Sequence, residues 1–326
     1  MTKLERFHAA IQGHEVDRLP VSVWLHFASE HHPGEEVARL HLAFYREYDW
    51  DYVKVMNDYR YPLPGIAEVG TEADLLRFEP LDMDHPVFAE QLKALRILRE
   101  ELGPDVPIVE TVFSPIQTLL RGAGNAAWNV VVTHPEAGHR MLAAVTETLI
   151  RYVAAIKRLG VDGVFFSVNG ANGPQAAGGL PEEQFDEFVA PYDRQVLVAA
   201  RGLVRIGHIH GYDLDFDRVL DYPLEAYSWS HHHTAPSLAE ARRLTDKALV
   251  GGIDDFLVTH AAAGLDDAGG ACIHHHVQAV AEREEGVAGH GRALQRQAGV
   301  FGLDAGDAGR VQAAHLAGAH PHGHTV

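Results

Sequence analysis

Residues 135–168, PEAGHRMLAAVTETLIRYVAAIKRLGVDGVFFSV, hold a long helical stretch from Pro135 to Leu159, a stop at Gly160, and then the strand-like run Gly163 to Val168. The apolar residues of the first part recur with helical spacing, whereas the second is short and dominated by Val and Phe, as befits a strand covered on both faces. A long helix feeding directly into such a strand is the mark of a parallel β/α unit. The pattern continues in both directions. Upstream, a capping helix Thr2 to Gln12 precedes a strand after Arg18 (Leu-Pro-Val-Ser-Val-Trp-Leu), a helix Glu35 to Tyr48 and a strand Tyr52 to Met56. A Pro- and Gly-bearing loop follows from Asn57 to Pro86, then a helix Val87 to Leu102 and a strand Val106 to Val112. Downstream come a helix Pro181 to Arg201, strands Leu203 to Ile209 and Glu225 to Ser230, a helix Ser237 to Leu244 and a strand Ala248 to Ile253. Seven strands alternating with helices predict an α/β fold of the (β/α)8 TIM-barrel type, and 326 residues suit one such barrel.

The eighth unit is the doubtful one. From about Ala261 onward Ala, Gly and His fill more than half the positions and lysine is absent. The expected organisation is therefore a barrel over residues 1–260 and an atypical tail over 261–326, read either as a flexible extension or as sequence encoded out of frame. Ile273 to Glu285 keeps a helical spacing, which puts such a break nearer Gly286 or makes it double. Residues 286–326 offer too little apolar surface to offset the entropy of ordering them. A barrel lacking a strand would leave open edges on the first and seventh.

Composition narrows the function. With 46% hydrophobic and 22% charged residues the chain can build a sizeable core. A net charge of -18 disfavours nucleic acid and anionic membrane, leaving a small molecule as the expected partner. The first residues lack the apolar core of a signal peptide and no run reaches membrane-span length, so a cytoplasmic location is expected. One cysteine, Cys272, precludes an internal disulfide, and any metal site would have to rest on His and carboxylates. No Walker loop, dinucleotide fingerprint or nucleophile elbow stands in a strand-to-helix context.

Several separated segments carry a family resemblance: Arg18-Leu-Pro-Val, Asp49-Trp-Asp-Tyr-Val-Lys-Val, Phe113-Ser-Pro-Ile-Gln-Thr-Leu, Asp162-Gly-Val-Phe-Phe, Pro191-Tyr, His208-Ile-His-Gly and Gly251-Gly-Ile-Asp254. In this order they resemble the uroporphyrinogen decarboxylase family, which includes the decarboxylase and zinc-dependent methyltransferases working with corrinoids. The resemblance spans about residues 1 to 260. It implies a role for Asp58, which resembles the family aspartate that gathers pyrrole N–H groups and supports positive charge on the ring; a homodimer is one assembly open to the chain. A loop-capping role beside Arg60 is the plain alternative for Asp58.

Arg18 stands where the decarboxylase has a longer arginine-rich stretch for substrate carboxylates; here Val21 to Phe27 has Trp24 and His26 but no arginine. Arg60 and Arg121 are the cations able to substitute, or else are ordinary surface residues. His208 and His210 flank Ile209 at a strand end, so alternation points both rings to one side. The resembling methyltransferases have a zinc-binding His-x-Cys element there, with His210 in place of its cysteine, which makes His208 and His210 metal candidates as well as catalytic ones. His231, His232 and His233 are consecutive and cannot all aim at one point, and His274, His275 and His276 fall in the atypical tail. Asp254 ends the seventh strand and could enter the site or hold the loop.

Three functions follow as expectations. The first is a lyase that decarboxylates side chains of a tetrapyrrole or similar aromatic acid, with no cofactor required, through Asp58, His208 and His210, while Arg18, Trp24, His26, Arg60, Arg121 and Asp254 bind substrate. The second is a corrinoid or thiol methyltransferase with zinc on His208 and His210. The third is an inactive tetrapyrrole-binding remnant.

Overall fold

The computed structural model describes residues 1–173 and 179–252 and the backbone of residues 276–281. Helix α1 (Lys3–Ile11) opens on a capping box in which Thr2 and Glu5 satisfy each other's backbone N–H groups. Strand β1 (Val21–Trp24), helix α2 (Gly34–Tyr48) and strand β2 (Val53–Val55) follow. The excursion after β2 contains the one-turn helix α3 (Glu72–Leu75), set by a Thr71/Asp74 capping box too short to register as a period. Then come α4 (Pro86–Leu102), β3 (Ile108–Phe113), α5 (Pro115–Ala123), α6 (Ala127–Thr133), α7 (Pro135–Arg158) and β4 (Gly163–Val168). Instead of one helix over 181–201 there are two, α8 (Glu182–Phe188) and α9 (Ala190–Ala199). Pro191 sits in the first turn of α9, where its missing N–H costs nothing, and a helix continuing through it would lose a bond. Strands β5 (Val204–Ile209), β6 (Ala226–Ser228) and β7 (Ala248–Gly252), with α10 (Leu238–Leu244) before β7, complete this part.

Strands β2 to β7 pair in sequence order, all parallel. An eighth strand, β8 (His276–Ala281), lies antiparallel between β7 and β1. This differs from the expected absence of any strand in the tail and from the helical spacing of residues 273–285. A six-residue segment has little periodicity of its own, and pairing on two open edges decides its conformation. It enters as a reversed strand, not as an eighth β/α unit. The remainder of the 261–326 tail, with its proposed frame break, lies outside the described residues. At the other end of the sheet, the Asp51 N–H donates to the Val21 carbonyl (2.9 Å) and Ser22 Oγ to the Tyr52 carbonyl (2.7 Å), so β1 and β2 meet. The architecture is a barrel-like α/β sheet with helices outside.

Two apolar layers result. The larger lies between sheet and helices, around residues such as Leu95, Tyr152, Phe166 and Tyr227. The inner one fills the space enclosed by the strands with Trp24, Met56, Val109, Phe165 and Ile206, and Phe7 and Ile11 of α1 plug its lower end. Helices α2 and α4 approach so closely that a Cβ on Gly34 would come within 2.2 Å of the Glu90 carbonyl oxygen, which requires glycine there. Among the described residues no helix is long and apolar enough to cross a membrane.

Candidate active site at the strand ends

The C-terminal end of β2 is fixed from outside by His41 of α2. Its Nδ1 donates to the Val37 carbonyl (2.8 Å) and its Nε2 accepts the Met56 N–H (3.0 Å), which defines a neutral tautomer. Burial pulls its pKa down to about 4, in keeping with that role. Two residues further, Asp58 turns its carboxylate toward the loop after β1. Oδ2 accepts the Phe27 N–H (3.1 Å), the Ser29 N–H (3.1 Å) and the Ser29 hydroxyl (2.9 Å). Oδ1 meets His26 Nδ1 at 2.7 Å. Burial favours the neutral acid, but His26 and Ser29 more than offset it and lower the pKa to about 2. Asp58 is therefore ionised, so the His26 Nδ1 carries the shared proton. Oδ2 is saturated by three donors, and Oδ1 keeps room for one more.

From this pair a continuous strip of rings crosses the top of the inner layer. Trp24 meets His26 edge to face with centroids 5.8 Å apart, and His208 meets Trp24 at 6.4 Å and stacks on Phe165 at 5.0 Å. His208 and His210 lie 5.8 Å apart, so both rings occupy one side, with His208 buried and His210 exposed. Arg121 of α5 reaches the same rim, where Nη2 donates to the carbonyls of Asn57 (3.2 Å) and Asp58 (3.3 Å) and the guanidinium lies 3.7 Å from the Phe113 ring centroid. Burial lowers its pKa to about 10. Arg60 stands beside it, donating to the Arg121 carbonyl and ion-paired to Glu30 at 2.6 Å.

Arg18 is placed elsewhere. It precedes β1 and pairs with Asp51, which precedes β2, so it belongs to the opposite end of the strands together with Arg6 and Asp17. Asp254 lies outside the described residues. His231 accepts the Gly252 N–H on Nε2 (2.8 Å), a loop-holding contact, and His232 is exposed. The side chains of His274, His275 and His276 are outside the description. Among the described residues no group of three or more His, Cys, Asp or Glu side chains could hold a metal ion, so His208 and His210 do not by themselves complete a zinc ligand set.

The buried ionisable residues Lys54 and Glu110 are not among the site residues read from the sequence. Lys54, at 4% exposure, places Nζ 3.6 Å from the Trp24 ring centroid, 4.6 Å from that of Phe165 and 3.2 Å from Met56 Sδ. Burial drives its pKa far down. Glu110 faces the helices, where Gln91 Nε2 (3.0 Å), the Tyr152 hydroxyl (2.7 Å) and Asn57 Nδ2 (3.3 Å) donate to it, and burial raises its pKa to about 8. The signal for both was present: a charged residue in a parallel strand covered on both faces has nowhere to go but inward or under a helix.

A family model for uroporphyrinogen decarboxylase matches residues 2–291. The chain belongs to the uroporphyrinogen decarboxylase family. Among solved structures it resembles a methyltransferase from Methanosarcina mazei, with a TM-score of 0.54 and 19% identity over 70% of this chain and 75% of that one. A "putative vitamin-B12 independent methionine synthase" from Listeria monocytogenes aligns with a TM-score of 0.40 and 12% identity over 60% of each chain. A comparison with curated proteins found no match. At 19% identity the likeness to the methyltransferase is one of fold, and one fold can host more than one reaction.

Proposed function

We propose that the chain is a carboxy-lyase that removes a side-chain carboxylate from a tetrapyrrole or a smaller aromatic acid, with no cofactor required. The observation behind this reading is that an ionised Asp58, 6% exposed, shares one rim with His26, Trp24, His208 and Arg121. In the proposed reaction a ring carbon next to the acetate side chain is protonated, with exposed His210 as the donor. The side-chain carbon–carboxylate bond then breaks, its electron pair flows into the cationic ring, and carbon dioxide leaves. The exocyclic carbon is reprotonated and the ring proton is lost, leaving a methyl group. Asp58 Oδ1 accepts a substrate N–H and favours the cationic ring. Held by three donors on Oδ2, the carboxylate needs no reorganisation as that charge develops. His208, stacked on Phe165, orients the substrate face.

Incubation with carboxylated porphyrinogens and with simple pyrrole or aryl acetates tests the reading. Products lacking one carboxyl group support it. Recovery of every acid unchanged, by protein shown to be folded, would count against it.

A second reading, methyl transfer with a divalent metal, is favoured by the same-side placement of His208 and His210. A metal there would have to draw further ligands from outside the described residues, so no step is assigned to it.

A further inference from the structure

Arg121 is the unusual cation of the rim. Its side chain is largely buried, yet among the described residues no carboxylate lies within 4.0 Å of it; Arg60, by contrast, is paired to Glu30. Among the described residues its hydrogen bonds go to the main-chain carbonyls of Asn57 and Asp58, both from Nη2. Asp58 cannot serve as counter-ion at contact distance, because its carboxylate is turned to the β1 loop. A guanidinium withdrawn from water without an anion is costly, and its planar fork matches a carboxylate.

Arg121 also lines a recess of about 40 Å³ between the ends of β2 and β3 and helices α4, α5 and α7. Its walls are the rings of Tyr59, Tyr61, Phe88 and Phe113, with Asn57 at the edge. Asn57 Nδ2 is committed to Glu110, and Asn57 Oδ1 is buried without a partner. The recess exceeds the space of a single water, roughly 10–15 Å³. A fixed cation, an unsatisfied acceptor and aromatic walls together describe a receptor for a short acid.

We propose that this recess binds a short-chain carboxylate, its two oxygens on the Arg121 fork and its stem between Phe113 and Tyr61, with an O–H or N–H of the ligand or of a water meeting Asn57 Oδ1. The carboxylate comes either from a substrate side chain or from a free small acid. This deepens the reading of the rim as the substrate side by naming what Arg121 holds. It is tested by binding alone, so its failure leaves the decarboxylation assay to judge the reaction separately.

The experiment is a titration of the full chain with propionate and with uncharged propionamide, followed by calorimetry and by ligand-observed NMR. Propionate is expected to bind and propionamide not, and the propionate methyl is expected to show Overhauser contacts to aromatic ring protons of Phe113 and Tyr61. Arg121→Gln should weaken binding by about tenfold or more, while Arg39→Gln, on the exposed face of α2, should leave it unchanged. If the Arg121 variant does not fold, the Overhauser contacts in the unaltered protein decide. Competition between propionate and a carboxylated substrate assigns the recess to a substrate side chain, and simultaneous binding assigns it to a free acid. Equal behaviour of propionate and propionamide, unchanged affinity in Arg121→Gln, or contacts only to residues elsewhere would overturn the proposal.

Discussion

The Asp58 carboxylate and the His26 imidazole meet at 2.7 Å across two loops thirty-two positions apart in sequence, joining the exit of β2 to the exit of β1. Because Asp58 is ionised, the contact fixes the His26 tautomer, and the Ser29 hydroxyl and amide hold the other carboxylate oxygen. The charge and the loop that surrounds it are therefore made together.

Asp58→Asn should separate charge from shape. If the carboxylate supports a cationic intermediate, the substitution costs about 3 kcal/mol or more in kcat/KM, on the scale of other preorganised electrostatic contacts. Ser29→Ala should cost less, since two main-chain donors remain. Equal turnover in Asp58→Asn and the unaltered protein would remove Asp58 from the chemistry.

Glu110 should make the fold less stable as pH rises. Its folded pKa, about 8, lies above the ordinary 4.5, so its contribution is complete below about 4.5 and is lost as pH climbs through about 8. The loss is on the order of 4 kcal/mol for so buried a group. Denaturant titrations across that window should show the fall, and Glu110→Gln should flatten it. A Gln variant with the same pH dependence would place the titration elsewhere.

Lys54 acts in the opposite sense. Its folded pKa is depressed, so its contribution is present above 10.5 and is lost as pH falls toward the folded value; at neutral pH it is a cost. Lys54→Met, of similar length and apolar, should raise stability at neutral pH by about 1 kcal/mol or more despite losing the contacts to Trp24 and Phe165. Thermal unfolding of the two proteins at neutral pH decides it, and a drop in the variant would show that the charged amine is worth keeping in its aromatic box.

The sequence revealed the strands and not all of their consequences. Five parallel pairings followed from the alternation of buried runs with helices, because that pattern has few other solutions. The reversed β8 was not legible, since its conformation comes from the edges it covers and not from its own period. The rim positions of Asp58, His208 and His210 followed from strand ends, whereas Arg18 and Arg121 could not be ranked: which arginine meets a carboxylate depends on tertiary partners, and Asp51 takes Arg18. The partnership of His26 with Asp58 needed the loop conformations themselves.

Metal content separates the two reactions considered. Protein purified without chelator and then dialysed should carry zinc well below one equivalent if decarboxylation is the activity, and His208→Ala should not change that content. One tightly held equivalent that His208→Ala removes would favour methyl transfer.

The most direct test of the central claim is release of labelled carbon dioxide from a carboxyl-labelled pyrrole acetate or porphyrinogen by chelator-treated protein, with Asp58→Asn alongside. The account predicts labelled carbon dioxide from the unaltered protein and a rate lower by about a hundredfold in the variant, the equivalent of about 3 kcal/mol. Release that depends on added metal, or that is equal in the two proteins, would contradict it.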